Sequence, residues 1–282
     1  LPKFARSLQS LFDEWYQVQE ARTTISAKTL TNYRNGARPA LEKFGRVTAN
    51  DIGQSEVNRW LGRLDRAQAS KATISRLVRM VYRYHGLESP FEGLAASDGS
   101  EVEFYSVPRA RALLKHTDDQ FKGVLAALLF AGIRPEEAER MTIANFDLPG
   151  KRILVRAEQS KTRHARLIES PGIPETVFRW VESYGYNPAN YRRRIRRLRD
   201  VAQDLGFDWI QDGCRHTFMT YMVAMGCAGD AVKAAGHLNS GMAQRHYVNF
   251  TVSRVDGEAF FTSLPEPTGS SGPASQALPV SE

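Results

Sequence analysis

Four segments in the first ninety residues carry apolar side chains at every third or fourth position, which is the spacing of an amphipathic helix. They lie at about 8–16, 28–41, 51–64 and 70–84. Pro39 falls inside the second segment, and we expect it to bend or end that helix because proline has no amide hydrogen to donate. The pattern predicts a small helical bundle.

The helical spacing stops after residue 84 and returns near residue 107. The segment between them is rich in glycine and polar residues, so we predict a first domain at 1–95, a linker at 96–103 and a second domain at 104–263. Helices are expected there at about 107–116, 120–131, 135–141, 174–184, 190–205, 213–225, 229–235 and 240–249. Short apolar runs at 153–155 and 165–168 flank the polar turn 160–164, which predicts a β-hairpin. The segment 264–282 is rich in proline, glycine and serine and is expected to be disordered.

Composition excludes several classes of protein. Hydrophobic residues make up 42% of the chain and charged residues 24%, as in a soluble globular protein. No apolar run approaches the roughly 18–20 residues that cross a bilayer. The two cysteines, Cys214 and Cys227, do not form a disulfide framework, and with the nearby histidines they show no ligand spacing of a metal site. We therefore expect a protein of the reducing cytoplasm without a metal or membrane span.

Positive charge is concentrated in two places. The net charge is +7, of which residues 1–100 contribute +5. In the predicted helix 190–205, a packing face is expected from Tyr191, Ile195, Leu198, Ala202 and Leu205. Its other positions hold six arginines, without which the net charge of +7 would be +1: Arg192, Arg193, Arg194, Arg196, Arg197 and Arg199.

Two interpretations of this charge are open, a solvated surface and a face that contacts nucleic acid. In the first domain, charge alone does not separate them for the outward basic residues, Arg59, Arg63, Arg76, Arg79 and Arg83. A solvated helix face usually mixes both signs, and no acidic residue lies between 192 and 199. We therefore favour contact between this helix and the DNA backbone.

The chain lacks a P-loop, a dinucleotide-binding glycine motif, a zinc-protease motif and a nucleophile elbow. It does hold a scattered set of side chains suited to a phosphate: Arg134, Lys161, Arg215, His237 and Tyr247. Arginine presents a planar fork to two phosphate oxygens, and lysine and histidine can donate protons. A tyrosine hydroxyl, with an ordinary pKa of about 10, becomes a useful nucleophile beside cations. Each residue alone would be unremarkable, and Arg163 is the alternative to Lys161 in the hairpin turn.

In this order and spacing, the residues resemble the tyrosine recombinases of the phage integrase group. The resemblance covers nearly the whole chain, from the helix SKATISRLVRMVYRY and the segment around Pro90 to the ordered series Arg, Lys, Arg, GlyHis and Tyr. It implies a mainly α protein with a helical, SAM-like core-binding domain. A mixed, mostly α catalytic domain with a small β-hairpin or sheet follows, which is the fold of DNA breaking-rejoining enzymes.

The resemblance also implies a role for each matching residue. Arg134 and Arg215 hold the scissile phosphate, and Lys161 protonates the departing 5′ oxygen. His237 hydrogen-bonds the phosphate. Tyr247 attacks the phosphorus and forms a 3′-phosphotyrosyl link.

One position departs from the family pattern. Asp212 stands where the family usually has a histidine, three residues before the second arginine. An aspartate can accept the tyrosine proton or orient a neighbour, but while ionised it cannot donate a hydrogen bond to phosphate. Glu137 matches a family carboxylate that supports the site. His216 belongs to the common Arg-His-Thr string and is expected to be structural.

The activity implied by the resemblance is site-specific DNA recombination or integration on behalf of a mobile element, by metal-independent transesterification without a cofactor. Double-stranded DNA and other copies of the chain are the expected partners, with a tetramer on two duplexes. Two alternatives stay open: a type IB topoisomerase-like enzyme that relaxes DNA, and a catalytically impaired DNA-binding protein of the same fold, which Asp212 favours. A helix near 252–264 is expected to dock either in cis or on a neighbouring subunit.

Overall fold

Serine side chains set where the first two helices begin. In this computed structural model, Ser7 and Ser26 each accept a hydrogen bond of 3.2 Å from the amide three residues later, which satisfies an otherwise unpaired donor. The structure describes residues 6–94, 101–160, 163–236 and 248–265. The helices of the first unit are α1 (Leu8–Glu20), α2 (Ala27–Phe44), α3 (Gln54–Arg63) and α4 (Gln68–Tyr84).

Pro39 does not end α2, so that alternative of the sequence prediction is wrong. The helix runs through the proline to Phe44, whose ring centroid lies 5.3 Å from that of Trp60 and 6.0 Å from that of Phe91. Both Ala40 and Phe44 are fully buried. Burial of this last turn outweighs the hydrogen bond that proline cannot make.

The chain divides between residues 100 and 101 into two compact units, each with its own apolar cluster. This division falls inside the segment expected to be a linker, while the finer domain limits remain predictions. The helices of the second unit are α5 (Val107–His116), α6 (Asp119–Phe130), α7 (Pro135–Ala138), α8 (Thr176–Tyr184), α9 (Tyr191–Asp204), α10 (Gly213–Ala224), α11 (Ala228–Ala235) and α12 (Arg254–Phe261). No helix within the described ranges is long and apolar enough to cross a membrane.

A small antiparallel sheet interrupts the helices of the second unit. Its strands pair in the order β1 (Phe146–Asp147), β2 (Arg152–Val155) and β3 (Arg166–Glu169). Ile153 pairs with Ile168 and both are buried, whereas Leu154 and Leu167 are exposed on the other face. The predicted mainly α fold with a β-hairpin is confirmed. Strand β1 was not predicted, because two residues are too few to show alternation.

Two expectations at helix ends are wrong. The packing face of α9 is confirmed at the buried or partly buried positions Tyr191, Ile195, Leu198 and Ala202. Leu205 is instead 38% exposed, because α9 ends at Asp204 and the chain turns away at Gly206, which has a φ of +79°.

The helix expected at 240–249 lies mostly outside the described residues, and its expected end is wrong since Val248 and Asn249 are not helical.

The terminal helix α12 packs on its own chain. Phe260 is fully buried, and its ring stacks on Tyr221 of α10 with 4.4 Å between centroids. Beyond the helix, Trp180 Nε1 donates to the Ser263 carbonyl at 2.7 Å and Arg111 Nε donates to Ser263 Oγ at 2.9 Å. The sequence left open whether this helix docks on its own chain or on a neighbouring subunit, and in this structure it docks on its own chain.

The docking of α12 gives a first prediction. Phe260→Ala removes a fully buried ring from the junction of α12, α10 and α6 and should lower the free energy of unfolding by about 3–5 kcal/mol. Chemical denaturation followed by circular dichroism measures the change. Val255→Ala, at a position of the same helix that is 72% exposed, is the control and should unfold like the wild type. Equal stability of both variants would contradict the packing of α12 in cis.

Candidate active site

A tight turn after α6 places Arg134. Gly132 in that turn has a φ of +61°, and a Cβ atom there would lie 2.4 Å from the ring of Phe218, so both the backbone and the space require glycine. Arg134 follows as the residue before the first turn of α7, and its side chain is only 13% exposed. The turn therefore directs a cation into the interior.

Glu137 forms an ion pair with the Arg134 guanidinium. Its carboxylate is fully buried and accepts hydrogen bonds from the Arg134 amide at 3.1 Å and from Arg134 Nη1 at 3.1 Å. The same carboxylate accepts two bonds from Arg166, from Nη1 at 2.9 Å and from Nη2 at 2.5 Å. One buried carboxylate thus pairs with two arginines.

Arg215 enters the same region from the buried helix α10. The residue is only 2% exposed, and its Nη1 donates to the Gly132 carbonyl at 2.6 Å. A charged group so deep in an apolar helix needs such partners, since burial without them is costly. Arg215 therefore connects α10 with the turn that carries Arg134.

Three arginines meet at the C-terminal end of α11. Their guanidinium groups donate to three successive carbonyls: Arg166 Nε to Ala234 at 2.8 Å, Arg215 Nη2 to Ala235 at 2.5 Å and Arg134 Nη2 to Gly236 at 3.2 Å. The last carbonyls of a helix lack partners within it and carry partial negative charge, so this end attracts cations. We call Arg134, Arg166 and Arg215 the arginine cluster.

Gly236 shapes the acceptor side of the cluster. It ends α11 with a φ of +65°, and a Cβ atom there would lie 3.0 Å from Arg166 Cδ and 3.4 Å from Arg134 Nη1. The left-handed glycine terminates the helix and leaves room for both side chains. The next residue in the chain is His237, which lies outside the described residues.

Sequence analysis did not single out Arg166. Its side chain is 10% exposed, and it lies on β3 two residues before the buried Ile168. Since side chains alternate along a strand, Arg166 and Ile168 share the buried face. A charged residue in phase with the buried face of a predicted strand was the signal that could have identified it.

The protonation state of Glu137 follows from its neighbours. Burial alone would raise the pKa of the Glu137 carboxyl, but the hydrogen bonds and charge of Arg166, followed by those of Arg134, outweigh burial and hold this pKa below its ordinary value. Burial, with a smaller effect of Glu137, raises the pKa of the nearby Tyr186 hydroxyl, which donates to the Ala138 carbonyl at 2.8 Å. Glu137 is therefore an ionised acceptor at neutral pH.

Asp212 lies at the start of α10 in the left-handed conformation, with a φ of +55°. Its carbonyl accepts the amides of Arg215 at 2.9 Å and His216 at 3.0 Å. The imidazole Nδ1 of His216 is 3.1 Å from the Glu103 carbonyl oxygen. Burial is the main reason why the pKa of His216 is lowered.

The predicted catalytic residues Lys161, His237 and Tyr247 lie outside the described residues, but their flanking residues are held in place. Before Lys161, the buried Gln159 accepts from Asn145 Nδ2 at 2.7 Å and donates through Nε2 to the Arg140 carbonyl at 3.2 Å. After it, Arg163 is exposed with a φ of +56°. The hairpin turn is thus anchored on its β2 side by a buried amide pair and on its β3 side by Arg166.

The chain after Tyr247 is anchored as well. Val248 is buried, and the Asn249 amide donates to Thr220 Oγ1 of α10 at 3.1 Å. The Asn249 side chain donates through Nδ2 to the Val102 carbonyl at 3.1 Å. The described residues on either side of the segment 237–247 thus lie next to the arginine cluster, at Gly236, and against α10, at Asn249.

Helix α9 carries most of its arginines on the surface. Five of its six arginines are exposed: Arg192, Arg193, Arg196, Arg197 and Arg199. Arg192 pairs with Glu139 at 2.9 Å. Arg194 differs from the rest because its guanidinium lies 5.5 Å from the centre of the Phe121 ring and donates to Gln120 at 2.9 Å. Arg194 therefore has contacts within its own unit.

In the first unit, an open groove of about 870 Å³ is lined by residues of α2 and α4. Amide and guanidinium groups from both helices line it, among them Asn32, Asn35, Arg38 and Arg76. Arg83 is exposed on α4, and Arg79 is partly buried beside Gly93. The groove combines positive charge with hydrogen-bonding side chains.

Within the described ranges, no group of three or more His, Cys, Asp or Glu side chains is placed to hold a metal ion. Cys214 is buried, and burial raises the pKa of its thiol to about 12. A thiol in this state is a small apolar group of the core.

The chain is similar to known proteins in its fold rather than in its sequence. No model of a protein family and no curated protein sequence matches the chain. Among solved structures, a lambda integrase dimer bound to a COC′ core site has 16% identity, covers 85% of this chain and 94% of that chain, and has a TM-score of 0.65. A Tn1549 transposon integrase in complex with a circular intermediate DNA has 14% identity, covers 90% and 98%, and has a TM-score of 0.64.

A lambda integrase tetramer bound to a Holliday junction is similar at 17% identity and a TM-score of 0.64, covering 85% of this chain and 77% of that one. The two units with their small antiparallel sheet thus have the fold of the tyrosine recombinases and integrases. The fold class predicted from the sequence is confirmed.

The buried position of Glu137 gives a second prediction. Glu137→Gln removes a charge that two arginines require and should lower the free energy of unfolding at neutral pH by about 3–5 kcal/mol. Because the folded-state pKa is depressed, this stabilisation is present above the ordinary pKa of a glutamate and is lost as pH falls through the depressed value. The difference between wild type and variant should therefore shrink on acidification.

Urea denaturation over a series of pH values measures this difference. Asp147→Asn is the matched control, because Asp147 also has a lowered pKa, from the Gly150 amide and Arg152, but its ion pair is exposed. The control should lose much less stability at neutral pH. A difference for Glu137→Gln that does not change with pH would contradict the ionised pairing.

Proposed function

We propose that this chain is a site-specific DNA recombinase or integrase that cleaves and rejoins DNA strands through a 3′-phosphotyrosyl intermediate. The fold supports this proposal, since the integrases of similar structure were solved with DNA. The arginine cluster supports it at the level of chemistry.

One observation carries the proposal. Arg134 and Arg215 are far apart in the sequence, yet they donate to the neighbouring carbonyls of Gly236 and Ala235. The next residue is His237, the proposed phosphate ligand. Two guanidinium groups of permanent charge are thus oriented beside the segment that holds the proposed histidine and nucleophile.

The proposed reaction is a transesterification at one phosphodiester. The Tyr247 hydroxyl oxygen bonds to phosphorus, and its proton passes to a base, for which Asp212 is the candidate. The bond between phosphorus and the 5′ oxygen breaks, and Lys161 gives that oxygen a proton. A 5′-hydroxyl from another strand then attacks the phosphotyrosine in the reverse sense, so the bond is remade without an external energy source.

The two arginines are proposed to stabilise the negative charge of the transition state. The phosphorane-like oxygens gain negative charge as Tyr247 approaches, and fixed donors stabilise that charge without having to reorganise. Loss of one such donor typically costs about 2.7–4 kcal/mol of transition-state stabilisation. Arg134 and Arg215 thereby supply the charge that a metal ion would supply elsewhere, and His237 adds a hydrogen bond.

The two basic surfaces are proposed to contact the DNA backbone. The exposed arginines of α9 would bind phosphates on one part of the duplex, and the groove lined by α2 and α4, which includes Arg76, would bind another part. Arg79 and Arg83 belong to the same proposed surface. Release of counterions from neutralised phosphates would supply much of the affinity.

The proposal includes the predicted domain limits, a cytoplasmic location, an origin in a mobile element and a tetramer on two duplexes. A tetramer that exchanged α12 between subunits would first have to release the cis contacts of Phe260, Trp180 and Arg111.

A covalent capture experiment gives the third prediction. The wild-type protein is incubated with DNA duplexes that carry a randomised central segment and a nick near its middle, so that cleavage releases a short strand and traps the adduct. Wild type should form protein–DNA adducts that survive denaturation, and sequencing the captured DNA would reveal the preferred site. Tyr247→Phe should form none, since it lacks the hydroxyl.

Tyr184→Phe is the matched control for removal of a tyrosine hydroxyl and should form adducts like the wild type. Protein that binds the duplexes without forming an adduct would support the catalytically impaired alternative. Relaxation of supercoiled DNA without exchange of strands between duplexes would support the topoisomerase-like alternative.

The salt dependence of DNA binding gives the fourth prediction. The double variant Arg193→Gln with Arg197→Gln removes two exposed charges from α9, while Arg194 is left intact because it packs on Phe121. If both contact phosphates, the slope of log affinity against log salt should become shallower by about 1.8, at about 0.9 per contact. Fluorescence anisotropy at several salt concentrations measures the slope.

Arg254→Gln is the control, since this exposed arginine of α12 already pairs with Glu258 at 3.0 Å. It should leave the slope close to that of the wild type. A slope that is the same for the α9 double variant and the wild type would show that this helix does not contact the backbone.

A further inference from the structure

We propose that Arg166 is a positioning residue of the strand-cleavage site, which joins Glu137 to the C-terminal end of α11 and so fixes the Arg134 guanidinium. This inference rests on the proposed function. Arg166 is not part of the ordered series of residues that identified the site from the sequence.

The first step is the geometry of Arg166. Its two terminal nitrogens contact the two oxygens of Glu137 at 2.9 and 2.5 Å, and its Nε donates to the Ala234 carbonyl at 2.8 Å. Three N–H groups of one planar fork are thus used on two structural elements at once. A lysine has a single nitrogen and cannot span both acceptors.

The second step is the link from Arg166 to Arg134. Both arginines contact the same oxygen of Glu137, Oε1, at 2.9 and 3.1 Å. The other oxygen, Oε2, accepts from Arg166 Nη2 at 2.5 Å and from the Arg134 amide at 3.1 Å. Loss of Arg166 would remove one contact from each oxygen and leave Arg134 as the remaining cation of the pair. We therefore expect the carboxylate to shift toward Arg134 and to change the direction of its guanidinium.

The third step is the link to α11. Arg166 holds the Ala234 carbonyl, while Arg134 holds that of Gly236 two residues later. Because His237 directly follows Gly236, the position of this helix end determines where the histidine begins. Arg166 also begins β3, the strand that follows the hairpin turn of Lys161. Arg166 therefore connects two described elements, β3 and the end of α11, that adjoin proposed catalytic residues in the sequence.

The ion pair of Arg166 and Glu137 differs from an ordinary ion pair on a sheet because it is buried. The side chains of Arg166 and Glu137 are 10% and 0% exposed. On the same sheet, Arg152 and Asp147 form a similar pair with exposures of 53% and 42%. Arg152 serves as a control that has the same chemistry but no contact with the cluster.

The experiment, our fifth prediction, compares Arg166→Met, Arg166→Lys and Arg152→Met with wild type on the captured DNA site. The rate of adduct formation at saturating DNA is measured separately from the dissociation constant of the complex. Both Arg166 variants should slow adduct formation on the order of 10–100-fold, as for other residues that orient a catalytic group, and leave DNA affinity unchanged. Lysine should not restore the rate, and Arg152→Met should react like the wild type.

The double variant Arg166→Met with Glu137→Gln provides a second measurement, because it leaves no unpaired buried carboxylate that could unfold the protein. If Arg166 acts through Glu137, the double variant should be no slower than the slower single variant. Multiplied effects of the two single changes would overturn the proposed route.

The other outcomes are also decisive. Wild-type rates in Arg166→Met, full rescue by lysine, or a loss confined to DNA affinity would each overturn the positioning role while the proposed function stood. Absence of any adduct with wild-type protein would overturn the proposed function, and the role of Arg166 in cleavage with it.

Discussion

The second unit depends on how three buried arginines are partnered at one point. Glu137 is the carboxylate that pairs there with Arg134 and Arg166. The described contacts also include, as acceptors, backbone carbonyls of Gly132 and of the last residues of α11. Because buried cations are costly without partners, the backbone must end a helix and make a left-handed turn at this point. The glycines at 132 and 236 make both possible.

This arrangement has a consequence for chemistry. Carbonyl dipoles orient a guanidinium, but they do not cancel its full charge as a carboxylate does. Where carbonyls are the acceptors, the arginines are held rigidly and keep their positive charge. A phosphodiester brings one negative charge at rest and gains more as it is attacked. Under the proposed function, guanidinium groups that are fixed before the reaction suit that change, because they do not have to reorganise.

Sequence reasoning could predict the parts that depend on periodicity and order. Hydrophobic spacing predicted the helices, and the order of residues identified Arg134, Arg215 and Glu137, which the structure brings together. It missed Arg166, because an arginine that follows a polar turn has the pattern of a solvent-facing residue until its phase with Ile168 is considered. It also extended the packing face of α9 to Leu205, since periodicity does not show where a helix turns away. Of the two outcomes expected at Pro39, a bend or an end of α2, the end was wrong because local hydrogen bonding was weighed without the burial of Phe44.

Asp212 shows how fold and chemistry can be separated at a single residue. Its backbone is left-handed, a conformation in which aspartate, asparagine and histidine are all enriched among residues with a side chain. The turn before α10 therefore accepts either an aspartate or the histidine that the family usually has, and it still delivers the amide of Arg215 to the Asp212 carbonyl. The difference between the two residues is confined to the side chain, which as a carboxylate can accept the tyrosine proton but cannot donate to phosphate. The backbone contact that positions Arg215 thus does not depend on which of these residues stands at 212, and under the proposed function Asp212 would affect the reaction rather than the construction of the site.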